Sequence, residues 1–366
     1  MKMLPALRIG QYTARFPIIQ GGMGIRISGA NLAAAVANAG GIGIISAVGL
    51  GLNSPYFDPN QKMGRKRREL FFEANRLALI DELNTARALS PDGIIGINVM
   101  IAAQDYETLV RTAIEHGADL IIAGAGLPLG LPAFTEESPE VALVPIVSSL
   151  RAAKLICQKW QRQHHRLPDA FIVENPKTAG GHLGAKLEDL DSPQLEAKQV
   201  IPELTNYLRE EVSTEIPVIA AGGVWDRTDI DRMLALGASG VQIGTRFITT
   251  DECDADLRYK EFHLHAHPED VVLVPSPVGM PGRALRNLFA ERAIANSPDL
   301  EKRCLTSCLH VCRCRDTQET YCIVQALDRA ARGDVENGLV FAGANAGRAQ
   351  KIIPVAELMT ELTAVG

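Results

Sequence analysis

Apolar residues occur along the chain in short, nearly unbroken runs. Each run is followed by a stretch in which apolar positions fall three or four apart. The runs are Phe16–Gln20, Gly41–Ala47, Gly93–Met100, Leu120–Gly124, Ala142–Ser148, Ala170–Glu174, Pro217–Ala221 and Gly240–Phe247. Unbroken hydrophobicity over so few residues predicts strands buried on both faces, as in a parallel sheet. The intervening periodicity predicts helices over Ser28–Asn38, Gly64–Leu89, Tyr106–Glu115, Ser149–His165, Ile201–Val212 and Arg227–Leu236. Eight strands alternating with helices in this order predict an α/β fold, the (β/α)8 TIM barrel. A doubly wound sheet is the rival. It is weakened because no predicted strand leads through a complete GxGxxG into a helix.

Such a barrel needs about 250 residues, and the eighth run ends near Phe247. Val355–Leu362, with Leu358 and Leu362 on one face, predicts the closing helix. Residues 1–252 and 342–366 are therefore read as the barrel, and residues 253–341 as a mainly helical, cysteine-rich lid or substrate domain. An insertion after the eighth strand leaves the barrel at its C-terminal mouth, where catalytic loops gather.

Composition narrows the class. With 46% hydrophobic and 22% charged residues in 366, the chain is neither disordered nor of low complexity. Its net charge of −6 argues against general attraction to nucleic acid or anionic membranes. The longest apolar stretches are interrupted by Gly and Pro well short of the ~20 residues of a membrane span. Met1–Gln20 does not pattern as a signal peptide, and seven cysteines cannot all pair within one chain. A reduced cytoplasmic protein is the expectation.

Candidate chemistry gathers at predicted strand ends. Gly222 and Gly223 follow the seventh strand, ahead of Asp226 as a helix cap; Gln242, Gly244 and Thr245 mark the end of the eighth. Loops after strands seven and eight are the usual phosphate site of this fold, because glycine lets backbone amides approach an anion. Two consecutive glycine-bearing strand ends favour a phosphorylated ligand over mere tight turns. Gln20, Gly21, Gly22 and Met23 follow the first strand, and Asn98 lies in the third. Neutral amides at a barrel mouth suit a heterocycle edge better than a metal, although either could simply satisfy loop backbone. His182 stands in Ala179-Gly180-Gly181-His182-Leu183-Gly184, after the sixth strand. A histidine placed there is a candidate acid or base.

Together, Gln20–Met23, Gly96–Asn98, Ala179–His182, Ala220–Gly223, Gln242–Arg246 and Ser276–Ala284 make the chain resemble the nitronate monooxygenases, formerly called 2-nitropropane dioxygenases. The resemblance runs in order over residues 16–290. It implies an FMN at the barrel mouth, with its phosphate held by Gly222, Gly223, Gly244 and Thr245. It further places Gln20–Met23, Asn98, Gly180, Gly181 and Gln242 around the rest of the cofactor, and makes His182 the catalytic base or substrate-orienting residue. The implied partners are a nitronate or nitroalkane and O2, with a homodimer allowed. One departure concerns the loop before Gly-Gly-His, where the resemblance expects an acid at position 175 but finds Asn175 preceded by Glu174. Which of the two would touch the flavin is left open. Related alternatives are a flavin-dependent enoyl-acyl-carrier-protein reductase and an NAD(P)H:quinone reductase. A phosphate-ligand sensor or assembly subunit is the non-enzyme alternative.

Three further features are set aside. Cys304, Cys308, Cys312, Cys314 and Cys322 match no zinc or ferredoxin spacing. They are read as buried free thiols, the first three on one helical face, with a metal or a redox switch as alternatives; no metal site is expected. His263, His265 and His267 are read as solvated, and Lys62, Arg65, Lys66, Arg67 and Arg68 as a solvated face paired to Glu69 and Glu73.

Overall fold

The eight apolar runs lie side by side and parallel in the computed structural model, which describes residues 3–58, 60, 64–212 and 214–364. They form β1 (Ile18–Gln20), β2 (Gly43–Ser46), β3 (Ile95–Met100), β4 (Leu120–Gly124), β5 (Ala142–Val147), β6 (Phe171–Glu174), β7 (Val218–Ala221) and β8 (Gly240–Ile243). Each strand pairs with its sequence neighbour, and β8 pairs with β1. A parallel bridge between Ile19 and Ile42 closes the ring. The fold is a (β/α)8 barrel.

The continuous hydrophobicity has a simple cause. Along each strand, one residue set faces the barrel interior and the alternate set faces the helices. Ile19, Ile44, Ile122, Val144, Ile172 and Ile219 pack inside, over a floor of Leu7 and Ile9 from an N-terminal hairpin. Ile18, Ile45, Ile97, Ile121, Leu143, Val173 and Val241 pack outward with helix residues. Burying such a side chain contributes about 1.5–3 kcal/mol, so neither face tolerates polarity away from the mouth.

Around the barrel run α1 (Ala30–Asn38), α2 (Arg65–Leu89), α3 (Tyr106–Glu115), α4 (Leu150–His164), α5 (Ala197–Tyr207) and α6 (Arg227–Ala235). A single 3-10 turn, Leu131–Phe134, stands where a helix after β4 would be. Asp226 caps α6 by accepting from the Asp229 amide, as the sequence suggests. No side chain of α1's own cap does this work. The carboxylates of Asp254 and Glu82 accept from the amides of residues 29–32 instead, pinning α1 to the chain beyond β8. The eighth run is shorter than its hydrophobicity suggests. After Gly244 the chain turns into α7 (Thr245–Ile248), which buries Phe247 and Ile248 helically.

Between α7 and the closing helix lie α8 (Leu257–Leu264), β9 (Val271–Val274), β10 (Gly282–Leu285), α9 (Leu288–Ile294), α10 (Arg313–Asp316) and α11 (Ile323–Ala331). The closing helix is α12 (Val355–Thr363), with Leu358 and Leu362 buried as expected. β9 and β10 pair antiparallel, and the other edge of β10 takes the two-residue strand Gly181–His182. This segment shares a core with the barrel side: Ile25, Phe57, Phe71 and Ala74 pack with Phe289, Tyr321, Val324 and Leu339.

Three expectations need correction. His263 is buried on α8, its ring against Tyr259 and its Nδ1 3.1 Å from the Tyr259 carbonyl; only His265 and His267 are exposed. Arg67 is also buried, its guanidinium 5.6 Å from the centre of the Phe57 ring. Of the expected pairs, Arg65 meets Glu69 at 2.7 Å, but Glu73 pairs with Arg76; Lys62 lies outside the described residues. Cys304, Cys308 and Cys312 lie in an irregular loop, so helical spacing does not bring them together.

Candidate active site

The strand parity that fills the barrel also builds its mouth. Ser46, Asn98, Gly124, Ile146, Glu174 and Gln242 continue the inward-facing set by one step, and all line a cavity of about 260 Å³. Its upper walls come from the loops: Gly21–Met23, residues 178–182 and 222–225, Gly244, Thr245, Tyr259, Phe341–Gly343 and Asn345.

Parity also explains the one predicted site residue found elsewhere. Ile18 faces outward and Ile19 inward, so Gln20 falls on the outward phase and is fully buried. Its Oε1 accepts from the Ile44 amide at 3.0 Å and its Nε2 donates to the Gly21 carbonyl. The side chain extends the β1–β2 closure beyond the last backbone bond, Gln20 N–H to Ile42 O. Gln20 thus closes the barrel and is not among the residues that line the cavity.

The remaining predicted residues converge on the cavity. Gly222 and Gly223 both have positive φ, +89° and +79°. A Cβ on Gly222 would stand 2.9 Å from the Asn175 carbonyl oxygen, and one on Gly223 2.8 Å from Thr178 Oγ1. Glycine is required at both. Gly22 is required by contact, since its Cβ would stand 2.3 Å from that of Asn98. A Cβ on Gly180 would stand 2.7 Å from the backbone of Ala342 and Gly343. Thr245 Oγ1 accepts from the Gly343 amide at 2.9 Å, and Asn345 Nδ2 donates to the Gly223 carbonyl at 2.8 Å. Two polar atoms in this wall, Gln242 Oε1 and Thr178 Oγ1, are buried without a protein partner. Buried polar atoms are rarely left so, and these suit a bound polar group.

His182 is held by the insertion. Its strand pairs with β10, the Leu183 amide donates to the Pro281 carbonyl, and buried Arg283 donates to the carbonyls of Pro176 and Ala179. The imidazole Nε2 lies 2.7 Å from Ser276 Oγ, in hydrogen-bond contact, and the ring meets Phe341 edge-on at 5.3 Å. Burial pulls its pKa down to about 4, so the ring is neutral near pH 7. Glu174 ends β6 on the inward phase and lines the cavity, whereas Asn175 turns away to accept from the Lys177 amide at 3.2 Å. Burial pushes the Glu174 carboxyl up to about 7. The carboxyl at this strand end therefore belongs to the cavity and the amide to the loop.

Sequence reasoning missed Gly343 and Asn345, which come from a return segment 120 residues beyond Gly223. Ser276 lay within a quoted motif, yet nothing local marks it as the partner of a histidine 94 residues earlier.

A neutral histidine and a protonatable carboxyl face a glycine-lined recess at the mouth of a parallel barrel. These are the parts of a cofactor-dependent (β/α)8 enzyme. Residues 6–364 match the family model described as nitronate monooxygenase, and the chain belongs to that family of flavin-dependent oxidoreductases. It is 28% identical to the (3aS,4S,5R,7aS)-5-hydroxy-7a-methyl-1-oxo-octahydro-1H-indene-4-carboxyl-CoA dehydrogenase of Mycobacterium tuberculosis, over 77% of this chain and 66% of that protein. A probable nitronate monooxygenase of Staphylococcus saprophyticus is 24% identical over 77% of this chain and 79% of the relative. Among solved structures, FabK from Thermotoga maritima superposes with a TM-score of 0.70 at 27% identity, covering 95% of this chain and 92% of that one. No helix among the described residues is long and apolar enough to cross a membrane.

Proposed function

We propose that the protein is an FMN-dependent nitronate monooxygenase, oxidising alkyl nitronates with O2 to a carbonyl compound and nitrite. The observation that carries this reading is His182, neutral by burial and hydrogen-bonded to Ser276 in a cavity lined in large part by glycine backbone.

The wall fits a flavin mononucleotide on chemical grounds. Gly222, Gly223, Gly244 and Thr245 would hold the phosphate, where the absent Cβ atoms leave backbone open to an anion. Asn98, Gln242, Gly21–Met23, Gly180 and Gly181 would meet the rest of the cofactor, giving the unpartnered Gln242 Oε1 a donor. When bound, the flavin supplies electron transfer from the nitronate and reaction with O2.

The chain's own residues supply position and protons. A neutral imidazole can remove the α-proton of a nitroalkane, or donate a hydrogen bond to a nitronate oxygen, depending on its tautomer. Ser276 and Phe341 fix the ring plane. Below pH 7 the neutral Glu174 carboxyl adds a donor to the cavity without repelling an anionic substrate. Ile146, Met100 and Phe341 add apolar surface to the cavity lining.

A second reading, reduction of an enoyl thioester by NAD(P)H, is supported by the likeness to FabK and to a CoA-thioester dehydrogenase. One experiment separates the two. Purified protein is given a small alkyl nitronate in air, then NADH or NADPH with an enoyl thioester. Oxygen uptake with matching nitrite release is expected from the first mixture. Thioester reduction without nitrite would replace the proposal with the second reading.

A further inference from the structure

Five cysteines between α9 and α11 are gathered in space as well as in sequence. Cys312, Cys314 and Cys322 are buried in one core cluster with Cys304 and Cys308 packed against it, and the thiols of Cys304, Cys312 and Cys322 interact with that of Cys314. All are free thiols; Cys304 and Cys308 are half-buried and the other three buried. Among the described residues, no group of three or more His, Cys, Asp or Glu is arranged to hold a metal ion.

Cys312 and Cys322 are drawn down by the same Cys314 contact but are buried, so half-buried Cys304 is the reachable member. Its sulfur accepts from the Ser307 amide at 3.3 Å and from the Cys314 thiol. Those hydrogen bonds draw its pKa down to about 5, whereas the shared thiol of Cys314 is pushed up. A reachable thiolate thus touches a buried, protonated thiol, the arrangement of an attacking and a resolving cysteine. Cys157 and Cys253, far from this loop, are deeply buried and pushed up to about 11 and 12. They are inert by comparison.

The same loop is hydrogen-bonded to two other segments. Residues 308–310 pair with the loop after β3: the Gln104 amide donates to the Cys308 carbonyl and the His310 amide to the Ala102 carbonyl, both at 2.9 Å. On the other side, the Arg313 amide donates to the Pro277 carbonyl and the Tyr321 hydroxyl to the Pro275 carbonyl. These two contacts flank Ser276, the partner of His182.

We propose that Cys304 and Cys314 form a peroxide-sensitive dithiol whose oxidation to a disulfide shifts the 275–281 loop and so the Ser276–His182 pair. The Cys304 thiolate attacks one oxygen of hydrogen peroxide; an S–O bond forms, the O–O bond breaks, and hydroxide leaves to be protonated to water. The Cys314 sulfur then attacks the sulfenic sulfur, and water leaves with the Cys314 proton. Two thiols lose two electrons, and one peroxide becomes two waters. The proposal does not depend on the identity of the substrate.

The test uses the whole protein with its flavin, treated with hydrogen peroxide, alkylated after denaturation and mapped by tandem mass spectrometry. The expected product is 2 Da lighter by loss of two hydrogens, with Cys304 joined to Cys314 and Cys157 and Cys253 alkylated. Cys314→Ser should stop at a Cys304 sulfenic acid trapped by dimedone, and Cys304→Ser should slow oxidation of the loop roughly tenfold or more. Hydrogen exchange over 275–281 should change on oxidation and revert with dithiothreitol. All seven thiols free after peroxide, or a stoichiometric metal ion shielding the loop, would overturn the proposal. A disulfide that leaves exchange over 275–281 unchanged would overturn the switch.

Discussion

Glu174 adds a carboxyl to the cavity, and that defines a pH dependence. Its pKa is raised to about 7, so it is neutral below that pH and anionic above it. For an anionic nitronate, KM should therefore rise as pH passes 7 upward, because two negative charges then share a desolvated space. Glu174→Gln, neutral throughout, should remove this limb while leaving the low-pH behaviour unchanged; steady-state kinetics from pH 5.5 to 8.5 would show it. Gly244 gives a second prediction at this scale. Its φ is −106°, and a Cβ there would meet nothing nearer than Met23 Sδ at 3.6 Å. Gly244→Ala should keep FMN, and Gly244→Asp should lose it by charge repulsion alone. Equal flavin content in the two variants, read from their visible spectra, would remove Gly244 from the phosphate site. Gly223→Asp is a poorer probe, since its positive φ and its contact with Thr178 strain any side chain.

Among the elements, the tightest packing joins β2 to α1. A Cβ on Gly43 would stand 1.9 Å from the Ala33 carbonyl oxygen, inside the backbone of the helix. Gly43→Ala must push α1 off the barrel, and overpacking of this kind costs about 1–3 kcal/mol or more. Urea denaturation should register that loss, whereas an unchanged midpoint would mean the helix yields freely. The strands themselves were legible because burial on both faces leaves an unbroken apolar run, and all eight were read in order. Parity within a run was not legible. A run apolar at every position carries no phase, so Gln20 read as a mouth residue although Ile18 and Ile19 set it outward. Glu174 was noticed but could not be oriented for the same reason. The cysteines between α9 and α11 were visible as a cluster, yet their irregular loop has no period to predict their meeting.

On the scale of the whole molecule, the site depends on segments that the sequence holds far apart. Gly343 and Asn345 return from beyond the insertion to brace Thr245 and Gly223, while β10 and Ser276 position His182. No local pattern signals such pairings, which is why the cradle's glycines were found and their supports were not. One consequence concerns the cofactor: the purified protein should be yellow and release FMN on denaturation, one phosphate site matching a monophosphate. Recovery of FAD would contradict the assignment of the cradle.

The central claim is that His182 performs acid–base or orienting work beside a bound flavin, and His182→Asn tests it most directly. The variant should keep its fold and its flavin, since a polar side chain still fills the loop. Nitrite release and oxygen uptake should fall by about 10²–10⁴, the usual contribution of a positioned acid–base group. A neutral nitroalkane, which must lose its α-proton, should suffer more than a preformed nitronate. Oxidation of both substrates at the wild-type rate, with flavin fully bound, would make His182 a structural residue and contradict the account.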